Sequence, residues 1–488
     1  MEKGELNLTQ KTSQGVFWKG ISQIITQGVR FLILLLLARL LKPDDFGLLA
    51  MVAVFTNFFS LTSDLGLNAA IIQKKELNKE ELSSIFWLIL LLGIFWSVIL
   101  FALSPLVAKF YSRPELLSIT AVLGISFFLS SFGSVPVALL SKRMNFKVLA
   151  FTEIGAVIIS GSIAIILAFG GFGVWALVAQ SLSYSFFRSL FNFLACPLRP
   201  VMLLKISKIK KMIYFGSNVV GLNFINYFSR NIDSLIIGKF IGSVALGFYN
   251  LAYRIMLFPI RQLSGAIGGV MFPALSLVQY DHQKVGQAYL RAIRMIATIT
   301  FPAMFGLWVI APEFVRIVLG EKWIPILYIL RIFCWVGAFQ SIATTVGWIY
   351  LSQGRADLQL KVGIFIVSVY IIAFIVGLRW GINGVATCYG LSMFIIAYPA
   401  FKIPFSLINL KIVSLIKIII LPLYTSTIMM GIVLIFKKVI LKPYGSVSLI
   451  MMISEISIGV SSYILLTILF NKPAIKEIKI FYNSLLGK

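Results

Sequence analysis

The sequence predicts an all-α polytopic membrane protein of about fourteen transmembrane helices, built as two six-helix lobes in parallel repeat plus two extra C-terminal helices. Three observations predict it. The chain has 488 residues, 59% of them hydrophobic and only 12% charged, with a mean hydropathy of +0.97; a water-facing shell needs far more charge. Apolar runs long enough to cross about 30 Å of hydrocarbon recur from end to end. The sequence also resembles itself when slid along its own length by roughly 200 residues.

The first apolar run, 15–41, is too long for a signal-peptide core, and no small-residue cleavage site follows it. It reads as a retained span. The next five are 46–72, 84–104, 117–140, 148–169 and 173–195. A second set follows at 212–238, 245–275, 288–311, 324–351, 360–378 and 381–401, and the last two are 412–436 and 446–470. The connections are short, so no separate soluble domain is expected. The chain therefore divides into a first lobe (1–198), a basic cytoplasmic linker (199–211), a second lobe (212–405) and a C-terminal pair with a cytoplasmic tail (406–488).

The self-similarity is ordered. At a shift of 200, "QGVRFLILLLLARLLKPDDFGLL" lies over "NYFSRNIDSLIIGKFIGSVALGFY", placing Arg30 on Arg230, Arg39 on Lys239 and Gly47 on Gly247. At a shift of 207, Pro105 falls on Pro312. At 211, Leu140-Ser141 falls on Leu351-Ser352, and Gly170, Gly173 and Val174 fall on Gly381, Gly384 and Val385. Six spans per repeat is an even number, so the halves keep one orientation, related by an axis along the membrane normal.

The net charge of +26 is read through its location. With a cytoplasmic N-terminus, most of the 43 Lys and Arg residues fall on the cytoplasmic side, the largest cluster being "RPVMLLKISKIKK" (Arg199 to Lys211). Lys437, Lys438 and Lys442 disagree, falling outside. The excess charge is thus a topology signal, with both termini cytoplasmic, and no nucleic-acid partner is expected. Cys196, Cys334 and Cys388 lie in or beside spans, where a disulfide is not expected, and a single His282 with no CxxC offers no metal or haem site. There is no GxxxxGK[ST] phosphate loop, no DxD and no large outer loop, so an enzyme is not expected. "GGFG" (170–173) reads as a tight turn.

Charges inside the spans carry the functional signal, because each costs at least a few kcal/mol in hydrocarbon without a partner or water. The arginines are Arg30, Arg188, Arg230, Arg254, Arg261 and Arg331; the acids are Asp64, Glu153, Asp233 and Glu455. Arg230 and Asp233 are i,i+3 neighbours able to pair. Glu153, near the start of its span, and Glu455, in the added pair, read as structural. Arg254 and Arg261 are seven residues apart on one helix face, and Arg261 is too deep to snorkel. Together with Arg30 they are expected to face a wet, anion-attracting cavity.

At "ARLLKPDDFGLLAM" (38–51), "DLGLNAAIIQ" (64–73) and "LLSKRMNFKVLA" (139–150) the sequence resembles the bacterial polysaccharide-transporter family. These are the Wzx-type flippases of the multidrug/oligosaccharidyl-lipid/polysaccharide superfamily, and the likeness is to the colanic and teichuronic acid branch. The resemblance implies a flippase of the bacterial inner membrane, moving undecaprenyl-diphosphate-linked oligosaccharide by alternating access. It implies that Arg30, Arg254 and Arg261 hold the diphosphate, with Arg230 and Arg331 nearer the outer mouth and Arg188 meeting the headgroup as it arrives. Asp64, Glu153 and Asp233 are then candidates for Na⁺ or H⁺ coupling, and no other cofactor is expected. The expected partners are the lipid-linked oligosaccharide, membrane lipids, and polysaccharide polymerase and assembly proteins, around a monomer. The rival readings are a lipid II flippase or multidrug antiporter of the same superfamily, and a membrane glycan polymerase. A drug antiporter would favour buried acids over arginines.

Overall fold

The structure is a computed structural model that describes residues 2–196, 198, 200–206, 209–210, 212–214, 227, 231–441, 448–473 and 477. Among these, ten helical stretches are long and apolar enough to cross a membrane, and one of them, Ala356–Ser406, holds two expected spans. The protein is a multi-pass α-helical membrane protein. Its chain forms two compact units, Met1–Gly247 and Phe248–Lys488.

The first unit contains α1 (Glu2–Leu40), α2 (Pro43–Ser60), α3 (Leu67–Gln73), α4 (Lys79–Tyr111), α5 (Glu115–Lys142), α6 (Phe146–Phe169) and α7 (Val174–Ala195). α4 packs on α5, α6 on α7, α5 on α7 and α1 on α6. The expected span 46–72 is broken: the helix stops at Ser60 and resumes at Leu67. The hydroxyls of Ser60, Thr62 and Ser63 bond back to preceding carbonyls, and Gly66 takes a left-handed φ of 68°. These local bonds compete with the helical ladder and end it. The 170–173 turn joins α6 to α7, with Gly171 and Gly173 at positive φ. Part of the basic segment is tied to the start of α4, where Trp87 donates to the Val201 carbonyl (2.9 Å) and Val201 and Lys205 donate backbone N–H groups to Ser83 and Ser84 (3.0 Å each).

The expected span 212–238 lies largely outside the described residues, and its described end, 231–240, is helical. The repeat assigns this end to the second lobe, yet it sits in the first unit. Tyr227 donates to the Val54 carbonyl, Lys239 to the Phe110 carbonyl, and Ser243 to Asp44. α8 (Ser243–Leu277) opens here. A Cβ at Gly47 would overlap the Ser243 backbone, and a Cβ at Gly247 would overlap that of Pro43. The first turns of α2 and α8 therefore meet backbone to backbone.

The second unit holds the rest of α8, then α9 (His282–Phe314), α10 (Ile326–Ala343), α11 (Val346–Ser352), α12 (Ala356–Gly377), α13 (Gly381–Ser406), α14 (Ile412–Phe436) and α15 (Leu449–Phe470). α9 packs on α10, α12 on α13, and α10 on α13. These match three of the four span pairs that pack in the first unit, so the sequence repeat is accompanied by a repeat of packing. Pro105 and Pro312, matched in the sequence, both lie inside helices, α4 and α9. The expected span 324–351 is divided into α10 and α11, where the buried Thr345 hydroxyl turns back to the Ile342 carbonyl (2.6 Å). α14 and α15 pack on each other and on α9.

Candidate substrate site

Three of the charges singled out in the sequence come together in the first unit. α1 carries Arg30, α6 carries Glu153, and α7 carries Arg188 with Tyr184 one turn before it on the same face. Arg30 Nη2 lies 2.6 Å from Glu153 Oε1, and Arg188 Nε lies 2.8 Å from Glu153 Oε2. Tyr184 donates its hydroxyl to Glu153, receives a hydrogen bond from Arg30 at 2.7 Å, and places its ring 4.8 Å below the Arg30 guanidinium.

Packing sets this geometry. Gly161 of α6 has no side chain, and Ile33 of α1 occupies the space a Cβ would need, so α1 closes on α6 beside Arg30. The next residue to Glu153, the buried Thr152, bonds Asn192 of α7 at 3.1 Å and fixes the α6–α7 register.

The electrostatics follow by counting. Two guanidiniums face one carboxylate, leaving the three-residue cluster with one net positive charge. The Arg30, Glu153 and Arg188 side chains are 41%, 25% and 42% exposed, so the cluster is reachable rather than sealed. Glu153 holds the arginines apart in a fixed fork, and an anion with more than one charged oxygen can take either guanidinium from it.

In the second unit, Arg254 and Arg261 are both exposed on α8, and no carboxylate pairs with either among the described residues. Arg331 is half-buried with its guanidinium 4.8 Å over the Trp308 ring, a contact that ties α10 to α9. Asp64 accepts the Gly66 N–H at 3.0 Å in the break between α2 and α3. Asp233 is buried and accepts the Ser234 N–H at 2.6 Å. Arg230 lies outside the described residues, and so does its pairing with Asp233. Sequence reasoning missed Tyr184; its i,i+4 spacing from Arg188 was the available signal.

Comparison with known proteins adds an independent line. Residues 36–328 match the family model described as polysaccharide biosynthesis protein. The chain is 29% identical over 374 residues to the lipopolysaccharide biosynthesis protein WzxC of Escherichia coli, covering 76% of each chain. It is 28% identical over 393 residues to the teichuronic acid biosynthesis protein TuaB of Bacillus subtilis, covering 80% of this chain and 77% of that one. Its fold matches the lipid II flippase MurJ, in an inward closed conformation, with a TM-score of 0.72 at 15% identity over 96% of this chain and 99% of that one. The repeat, the intramembrane arginines and the family match converge: this chain belongs to the polysaccharide biosynthesis protein family.

Proposed function

We propose that the protein is a flippase that moves undecaprenyl-diphosphate-linked oligosaccharide units across the bacterial inner membrane by alternating access. The observation that carries this reading is the Arg30–Glu153–Arg188 cluster: reachable, within the spans, and short of one negative charge. A lipid-linked sugar cannot cross unaided, because its diphosphate and hydroxyls would shed water in hydrocarbon. A protein lowers that barrier by presenting cations to the diphosphate while the lipid tail stays in the bilayer. Arg30 and Arg188 do so against a counter-ion that the diphosphate displaces; Arg254 and Arg261 do so with no described counter-ion. Glu153 re-forms its pairs when the substrate leaves, which keeps release fast.

The same reading takes both termini as cytoplasmic, the protein as a monomer that acts without enzymatic chemistry, and polymerase and assembly proteins as its downstream partners. Transport is driven by an H⁺ or Na⁺ gradient or by the membrane potential acting on the anionic substrate. The excess of arginines over acids in the spans disfavours a drug antiporter built for cations.

The test is reconstitution of the purified protein in liposomes with a labelled undecaprenyl-diphosphate oligosaccharide. The label should move between leaflets, and Arg188→Ala should stop it. If cationic drugs move and the lipid-linked sugar does not under any gradient or potential, the flippase reading fails.

A further inference from the structure

The carboxylates first considered for ion coupling each have compensation at hand. Asp64 and Asp233 accept backbone N–H groups, and Glu153 is held by two arginines. A different pair of acids shares a single cation. Glu313, near the end of α9, and Glu455, early in α15, both turn toward Lys437, just past α14. Lys437 Nζ is 2.6 Å from Glu313 Oε1 and 3.8 Å from Glu455 Oε1. Glu313 is 7% exposed and Glu455 only 1%. The remaining oxygen of each carboxyl is buried with no hydrogen-bond partner among the described residues.

Among the described residues, the charged groups facing Glu455 are Glu313 from α9 and Lys437 from the end of α14. Among the described residues, two carboxylates against one ammonium leave one unbalanced negative charge in an apolar setting, which is costly. Independent polar groups lie deeper in the same three-helix interface. Tyr463 of α15 donates to the Thr298 carbonyl of α9 at 2.7 Å. The hydroxyls of Thr298, Ser426 and Thr467 are buried there, those of Ser426 and Thr467 beside the Tyr463 hydroxyl.

We propose that Glu313, Lys437 and Glu455 form a proton-binding site that takes up one exchangeable proton and couples its movement to transport. One proton neutralises the triad. It also turns one carboxyl into a donor, which supplies the partner that an orphaned oxygen of the other lacks. A metal cation fits less well, because the Lys437 ammonium already occupies the cation position between the carboxylates. The coupling half of this proposal rests on the transport reading; the proton-binding half does not.

The experiment therefore has two arms on the full-length protein in liposomes. In the first, dicyclohexylcarbodiimide, which reacts with protonated carboxyls in apolar surroundings, is applied across roughly pH 5 to 9 and adducts are mapped by peptide mass spectrometry. Adducts are expected on Glu455 or Glu313, rising as pH falls. They should disappear in the Glu313→Gln, Glu455→Gln double variant. Lys437→Gln removes the competing cation and should move labelling to higher pH. Absence of any pH-dependent adduct on either residue in the wild type overturns the site, and so does protection by Na⁺ but not by raised pH. In the second arm, a pH gradient should accelerate movement of the labelled lipid-linked sugar by wild type and leave Glu455→Gln unaffected. An equal response of the two overturns coupling. If no sugar moves at all, the flippase reading fails while the labelling arm still decides the site.

Discussion

Arg30 and Glu153, on the first and fifth spans, meet at 2.6 Å, and Glu153 spends its other oxygen on Arg188. One acid thus limits two cations, and the two kinds of residue should fail differently. Arg30→Ala or Arg188→Ala should abolish export at normal protein level, since a charge-assisted contact is worth about 1.5–3 kcal/mol, roughly a 10- to 150-fold loss of affinity. Lysine at either position should rescue only in part, because it lacks the bidentate fork. Glu153→Gln should bind the lipid-linked sugar more tightly and turn over more slowly. Equilibrium binding and single-turnover flipping separate these outcomes.

Arg254 and Arg261 offer a contrast with Arg331. The first two are exposed and pair with no described acid, so Arg254→Ala and Arg261→Ala should stop transport without changing the melting temperature. Arg331 lies on the Trp308 ring. Its alanine variant should lose about 0.5–2 kcal/mol of stability, read as a lower melting temperature in detergent. Wild-type export by both α8 variants would place those arginines outside the substrate's path.

The contact at Gly47 and Gly247 admits no side chain. Gly47→Ala and Gly247→Ala should each destabilise by about 1–3 kcal/mol or more, because the neighbour is backbone rather than a side chain that can turn aside. Gly306→Ala is the control: nothing lies within 4 Å of its Cβ position. Thermal unfolding of the three variants checks this.

Topology is open to direct chemical test. In a background where Cys196, Cys334 and Cys388 are replaced, a cysteine at position 208 should be labelled from the cytoplasmic face and one at position 44 from the opposite face. The reverse pattern would reject the assignment of both termini to the cytoplasm.

Spans were legible because an apolar run of membrane length leaves few alternatives to a helix. The predicted 412–436 coincides with α14. The break at 61–66 was written as "TSDLGLN" but read through, because hydropathy does not register a left-handed glycine. Arg30, Glu153 and Arg188 were visible as costly charges; their meeting was not, since it joins three helices and depends on Gly161 admitting Ile33. Glu313 was missed for a simpler reason. It sits just past the expected span 288–311, but α9 runs on to Phe314 and a π turn, Val315–Leu319, follows. That extension keeps Glu313 buried.

The α2–α8 crossing has a further implication. Gly47 meets Ser243, and Gly247 meets Pro43. Pro43 and Ser243 are themselves counterparts, each the first residue of its helix. Residue i touching j while the copy of i touches the copy of j is the signature of an isologous, two-fold interface between identical subunits. The crossing therefore carries, within one chain, the contact symmetry of a homodimer interface.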